Sequence, residues 1–262
     1  MLQLKLDGEI VDIKQWKFPA GESGVKIQGW SVDKHIMTAE IIMKWEDDAD
    51  LMALGQLVDA VHHNFSPYKL YLNIPYFPYS RQDRRCNLGE GHALRVVGHF
   101  INSLKFDRVI TLDAHSSVLE AIVDNLIVVE QNICAEHLPI FDYLIAPDNG
   151  ASKKIMQHTQ VVQELTGVLI ANKIRTLTGV AIEIPNGTLL ENKSVCVVDD
   201  LCDGGATFLS LAEALPLPPK SLSLYVTHGF FTKGVAQLLK YYDTIYVHNL
   251  MNPSVANFVQ QI

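Results

Sequence analysis

Ser194-Val195-Cys196-Val197-Val198-Asp199-Asp200-Leu201-Cys202-Asp203-Gly204-Gly205-Ala206-Thr207 is the stretch that decides how this chain folds. Val195 to Val198 is an unbroken apolar run, the pattern of a parallel strand covered on both faces. Two carboxylates close the strand, a small-residue turn follows, and Phe208 to Leu215 has the apolar spacing of a helix. In such a strand–turn–helix unit the backbone N–H groups of the turn and of the helix start can cradle a phosphate. Asp199 and Asp200, at the carboxyl end of the strand, can hold the two hydroxyls of a ribose. One Asp before one Gly is common in α/β proteins. The full string of hydrophobic-Val-Val-Asp-Asp-x-x-Asp-Gly-Gly-x-Thr is not.

Working outward, the same strand-then-polar pattern recurs. Residues 1 to about 45 alternate at Leu2, Leu4 and Leu6, at Val25 and Ile27, and from Ile36 to Met43, which predicts short strands around a Pro/Gly loop from Trp16 to Gly24. Leu51, Leu54, Leu57, Val58 and Val61 predict a helix from Asp50 to Asn64. Lys69 to Ile74 and Arg108 to Leu112 read as strands, separated by an aromatic turn, three arginines and a helix from Gly91 to Leu104. Strands at Leu126–Glu130 and Leu144–Ala146 precede a helix from Ala151 to Leu165 with Lys153 and Lys154 in its first turn. Later strands are expected at Gly167–Ala171, Ser223–Val226 and Thr244–Val247, with a helix from Thr232 to Leu239. Alternating strands and helices predict parallel sheets covered on both sides. Asp113/His115, Asp148, Lys173/Arg175, Asp199/Asp200 and His228 all follow apolar strands, the edge where open α/β sheets bind ligands.

The composition, 48% apolar and 19% charged over 262 residues, suits a globular protein of one large or two smaller domains. No run nears the ~20 apolar residues of a membrane span, and the alternating start lacks the blocks of a signal peptide. Cys86, Cys134, Cys196 and Cys202 show no metal-finger spacing, so reduced cysteines and a cytoplasmic location are expected. A net charge of −8 argues against nucleic acid as a partner, though not against a phosphorylated substrate.

The glycine turn resembles the ribose-phosphate-binding motif of the phosphoribosyltransferase superfamily. Taken with Pro75 to Arg85, Asp113-Ala114-His115 and Pro147-Asp148-Asn149-Gly150, in that order, it resembles the ribose-phosphate pyrophosphokinases (PRPP synthetases) from about Lys17 to His228. The resemblance implies an α/β fold of two phosphoribosyltransferase-like domains, each a mostly parallel sheet flanked by helices. They would span 1–136, on the ATP side, and 137–262, with the ribose-phosphate loop. It further implies a homo-oligomer, dimer or hexamer, that transfers the pyrophosphoryl group of ATP to the anomeric hydroxyl of ribose 5-phosphate, with Mg2+ as cofactor.

Site roles follow from the same resemblance. Phe18, Glu22, Arg81, Gln82, Asp83 and Arg84 would bind ATP, the first two reaching a neighbouring subunit's adenine. Asp113, His115 and Asp148 would hold Mg2+, and Lys173, Arg175 and His115 would serve catalysis, the basic pair closing on the transferring group. Asp148, Asp199, Asp200, Asp203, Gly204, Gly205, Ala206 and Thr207 would hold the ribose phosphate. Taken singly, His115 reads as a structural histidine and the basic pair as surface charge; it is the ordered set that points to a site.

The chain also departs from the family. It starts about one helix short and stops soon after Val247, Ala20 replaces the usual Asp of the adenine loop, and Cys86-Asn87-Leu88-Gly89-Glu90-Gly91 replaces a basic segment used in regulation. The phosphate turn, usually Asp-Thr-Gly-Gly-Thr, lacks a hydroxyl at Gly204 and carries a methyl at Ala206. A free phosphate dianion rewards every donor, whereas an esterified phosphate suits a less polar turn, so ADP-ribose is an alternative acceptor. Two other readings share the turn. A phosphoribosyltransferase that consumes PRPP has no need of Arg81-Gln82-Asp83-Arg84, and a silent synthetase-associated subunit has no need of intact catalytic residues.

Overall fold

The computed structural model describes residues 1–29, 35–131, 138–159, 165–176 and 179–262, with only the backbone path given for 157–159, 173–176 and 179–181. Its contacts divide the chain into Met1–Glu130 and Gln131–Ile262. The boundary expected at residue 136 lies outside the described residues.

In the first unit, the leucines of β1 (Leu2–Leu6) alternate in the sequence and all three are buried. β2 (Glu9–Val11) pairs antiparallel with β1, and β3 (Ile13–Lys17) pairs antiparallel with β4 (Ser23–Ile27) in a separate hairpin. Trp16, Lys17 and Gly24 therefore belong to strands, and the expected Pro/Gly loop shrinks to residues 18–22. β5 (Thr38–Met43) is followed by α1 (Ala49–Asn64), whose Ala53, Leu54, Leu57, Val58 and Val61 face the core. At about 1.5–3 kcal/mol per fully buried aliphatic side chain, that stripe is what fixes α1 on the sheet. Next come β6 (Lys69–Asn73), α2 (Ala93–Ser103), β7 (Arg108–Leu112), α3 (Val118–Ile122) and β8 (Leu126–Val129). The sheet order is β2-β1-β5-β6-β7-β8, antiparallel at β1 and parallel from β5 onward.

The second unit begins with β9 (Tyr143–Ala146) and α4 (Asn149–Thr159). α4 starts two residues earlier than expected because Asp148 Oδ1 accepts the N–H groups of Gly150 (2.8 Å) and Ala151 (3.0 Å), capping it. Lys153 and Lys154 therefore lie in its second turn. β10 (Gly167–Ile170) leads into an antiparallel hairpin that sequence patterning missed, β11 (Asn172–Thr176) with β12 (Gly179–Glu183).

β13 (Ser194–Cys202) is longer than the apolar run suggested. It passes through the acid pair to Cys202, because the equally long β14 (Ser221–Gly229), reached through α5 (Ala206–Glu213), pairs with it along its length. β15 (Thr244–Leu250) and β16 (Gln260–Gln261) complete a wholly parallel sheet in the order β10-β9-β13-β14-β15-β16. Core side chains pack on both faces of it.

The helix expected from Thr232 to Leu239 does not form. Phe231 (φ 44°) and Gly234 (φ 69°) are left-handed, and the N–H groups of Phe231 and Thr232 are taken by the carbonyls of Cys202 and Asp203. Only a short 3₁₀ turn survives, at Leu238–Lys240.

Candidate active site

In the first unit, residues after β6 and β7 line an open cavity of about 890 Å3, within the ~300–1,000 Å3 range of small-molecule sites. Arg81, Gln82, Asp83, Arg84 and His115 are all on its wall. The arginines are placed by a chain of tight turns. Tyr79 is left-handed (φ 61°), and its hydroxyl donates to Asp48 Oδ1 at 2.6 Å, which pushes the phenol above its ordinary range. The Gln82 N–H donates to the Tyr79 carbonyl at 2.9 Å, and the Gln82 carbonyl accepts from Leu94 N–H at 3.4 Å, at the start of α2.

Beyond Arg84 the loop is closed on itself. The Glu90 carboxylate accepts the N–H groups of Cys86 (2.6 Å) and Asn87 (2.9 Å) and the Asn87 side-chain amide, whose bond leads in holding it below the usual carboxylate range. Arg85 Nε donates to the Glu90 carbonyl at 3.1 Å. Asp48, Tyr79, Cys86, Glu90 and His92 thus join the wall without having been singled out by the sequence. Glu90 was the legible one, a carboxylate three and four residues after the N–H groups it closes on.

The other predicted groups of this unit lie apart from the cavity wall. Asp113 follows β7 with φ 44° and is buried, its N–H donating to the Val129 carbonyl at 2.7 Å. Phe18 and Glu22 sit exposed on the β3–β4 turn. The Phe18 N–H donates to the Glu22 carbonyl at 2.8 Å, and the Phe18 ring meets Trp16 edge-on at 5.8 Å.

In the second unit, the carboxyl ends of β9, β13 and β14 carry the polar groups. The Asp200 N–H donates to Asp199 Oδ1 at 2.9 Å. The Asp199 carbonyl accepts from Gln131 Nε2 at 2.8 Å, and the same nitrogen donates to Thr227 Oγ1 at 2.9 Å. The peptide between the two acids is thereby held at both its oxygen and its nitrogen, beyond the point where β9 stops pairing with β13. Burial, then the charge of Asp200, pushes the Asp199 carboxyl well above the usual range. Lys154 Nζ stands 3.9 Å from Asp200 Oδ2. Gln131 and Lys154 are positioning groups that the sequence did not flag.

The turn closes the site. Gly205 caps α5 at φ 80°, a conformation that costs a non-glycine residue about 1–2 kcal/mol. Asp203 Oδ1 accepts from Thr232 Oγ1 at 2.7 Å. Ala206 is exposed and Thr207 half-buried at the helix start. On the hairpin, Lys173 registers with Ile182 and Arg175 with Val180; their side chains lie outside the described residues. Cys196 and Cys202 are buried free thiols, the latter pushed up to about 12 by burial, whereas Cys86 is exposed. Cys134 lies outside the described residues. Among the described residues no group of three or more His, Cys, Asp or Glu is arranged to hold a metal, and no helix is long and apolar enough to cross a membrane.

No protein-family model matches the chain. It is 27% identical over 237 residues to a ribose-phosphate pyrophosphokinase of Thermococcus kodakarensis, covering 87% of this chain and 81% of that one. It is 28% identical over 262 residues to a ribose-phosphate pyrophosphokinase of Methanopyrus kandleri, covering 95% and 87%. The crystal structure of phosphoribosylpyrophosphate synthetase from Mycobacterium smegmatis matches with a TM-score of 0.77 at 18% identity, over 93% of this chain and 82% of that one. The chain is similar to the ribose-phosphate pyrophosphokinases over most of its length.

The fold expected from the pyrophosphokinase resemblance is the fold observed: two mostly parallel sheets, each flanked by helices. Within the first unit the structure brings together the pyrophosphokinase string Arg81-Gln82-Asp83-Arg84 and His115, leaving Phe18, Glu22 and Asp113 off that wall. Within the second it gathers the acid pair and the turn from Asp203 to Thr207 at one strand tip, with Asp148 close enough for its charge to act on Asp199.

Proposed function

We propose that the chain transfers the β,γ-pyrophosphoryl group of ATP to the anomeric hydroxyl of ribose 5-phosphate, releasing AMP. The observation that carries this reading is the ligand-sized cavity walled by Arg81, Gln82, Asp83, Arg84 and His115. In the transfer, the sugar oxygen bonds to the β-phosphorus, the bond from that phosphorus to the α,β-bridging oxygen breaks with that oxygen leaving on AMP, and the hydroxyl proton passes to solvent. Charge spreads over several phosphate oxygens, so catalysis is positioning plus cations. Arg81 and Arg84 would take nucleotide phosphates, Gln82 and Asp83 would orient the nucleotide, and Phe18 and Glu22 would reach the adenine of a neighbouring copy in a homo-oligomer. Asp199 and Asp200 would accept the ribose hydroxyls, and the turn from Asp203 to Thr207 would hold the 5′-phosphate. Lys173 and Arg175 would close on the transferring group.

Mg2+ keeps several waters and binds through one or two carboxylates plus substrate phosphates rather than a protein cage. By the pyrophosphokinase resemblance, Asp113 and His115 in the first unit and Asp148 in the second are its candidate ligands, and when bound it would neutralise phosphate charge. A cytoplasmic location accords with the buried, reduced thiols of Cys196 and Cys202.

The turn also favours a second acceptor. Without a hydroxyl at Gly204 and with a methyl at Ala206, it suits the esterified phosphate of ADP-ribose. Incubation with ATP, Mg2+ and either acceptor, with products identified by mass spectrometry, tests both; AMP formation with neither acceptor would sink the reading. Lys173→Ala should lower turnover by roughly 10³-fold or more, as for other phosphoryl-transfer cations, with an unchanged circular dichroism spectrum. An unaltered rate would remove Lys173 from its role.

A further inference from the structure

The phosphate turn is poor in hydroxyls, yet the space beside it is filled by a cation's stem. A side chain at Gly204 would meet Lys233 Cδ and Cε at 3.4 Å and Cγ at 3.7 Å, so the aliphatic part of Lys233 lies along the face of the turn where position 204 has no atoms of its own. The ammonium is one bond beyond Cε. Lys233 is also held from the backbone. Thr232, its neighbour, donates from N–H to the Asp203 carbonyl at 3.0 Å and from Oγ1 to Asp203 Oδ1 at 2.7 Å. On the other side, the Gly234 N–H donates to the carbonyl of fully buried Phe231 at 2.8 Å, and both of those residues are left-handed. The tight turn that prevents a helix here thus presents Lys233 to the glycine turn from the end of β14.

We infer that Lys233 is a specificity-determining residue of the acceptor site, its ammonium taking the 5′-phosphoryl oxygens of the sugar in place of the turn hydroxyl missing at Gly204. The assignment rests on the pyrophosphokinase reading for the identity of the acceptor. The exposed Lys233 side chain runs beside Gly204, and a charged donor makes a stronger bond to phosphate than a neutral hydroxyl. The shared chemistry is a 5′-phosphoryl anion, whether the monoester of ribose 5-phosphate or the diphosphate of ADP-ribose.

The test uses the full chain and its Lys233→Met and Lys233→Arg variants. Calorimetric titration with ribose 5-phosphate, with ADP-ribose and with Mg-ATP is combined with AMP-release kinetics. Lys233→Met keeps the stem and removes the charge. It should weaken acceptor binding by roughly ten- to a hundredfold, raise the acceptor KM alike, and leave ATP affinity within about twofold, while Lys233→Arg restores most of the loss. The arm with the larger loss identifies the acceptor. Wild-type acceptor affinity in Lys233→Met, or no acceptor binding by the wild type, overturns the assignment. If acceptor affinity responds to the charge but no AMP forms, the transfer reading fails and Lys233 stands. If AMP forms equally well with the variant at subsaturating acceptor, the transfer stands and Lys233 falls.

Discussion

Asp199 shows how a candidate binding residue is kept at the expense of stability. Its carboxyl is pushed well above the usual range, first by burial and then by the charge of Asp200. A carboxyl raised in the folded state holds its proton where the unfolded chain has already released it. Stability therefore falls as pH rises from the ordinary carboxylate range through the raised value, and above that value the penalty is complete. Asp199→Asn removes the charge and keeps the shape. It should raise the melting temperature of the ligand-free protein at pH 8, by about 2–4 °C for each kcal/mol relieved, change it little at pH 4, and lose acceptor binding. Scanning calorimetry at the two pH values checks this; a lower melting temperature at pH 8 would show that the carboxylate is stabilising after all. Asp199 and Asp200 were legible because apolar strand, acid pair and glycine turn are contiguous. Gln131 was not, since its role depends on meeting Asp199 and Thr227 across 68 and 96 residues of chain.

At the scale of the element, regular periodicity was readable and tertiary interference was not. α1 and β1 follow the apolar spacing of the sequence because one face of each meets the core. The segment after β14 has the same kind of spacing, at Val235, Leu238 and Leu239, but Gly234 at φ 69° is left-handed, so a helix cannot run through it. The β11–β12 hairpin escaped notice because Lys173-Ile174-Arg175 reads as a charged strand end rather than the start of a new pair. The turn at Gly205 is the element most sensitive to change. Gly205→Ala places a side chain at φ 80° and within 3.3 Å of Leu238, so a loss of roughly 1–3 kcal/mol is expected, with phosphate binding weakened further. Urea denaturation reads the first effect, and a variant as stable as the wild type would mean that the left-handed turn is not required.

At the scale of the whole molecule, each unit buries its own apolar cluster. Fragments 1–130 and 131–262 should each give an α/β circular dichroism spectrum and a cooperative thermal transition; a fragment that stays unfolded alone would show that its core is incomplete. The repetition of strands ending in acids was readable in the sequence. The loop from Asp83 to His92 offered only the spacing of Glu90 from Cys86 and Asn87, since its form depends on a carboxylate folding back on its own backbone.

That loop also sets a sulfhydryl on the rim of the first unit's cavity, while the thiols at 196 and 202 are sealed in the second unit's interior. A maleimide fluorophore should therefore distinguish the outer thiol from these two under native conditions, attaching at Cys86 and more slowly when ATP fills the space beside it. Occupancy of the first unit could then be followed by labelling rate alone, without any turnover.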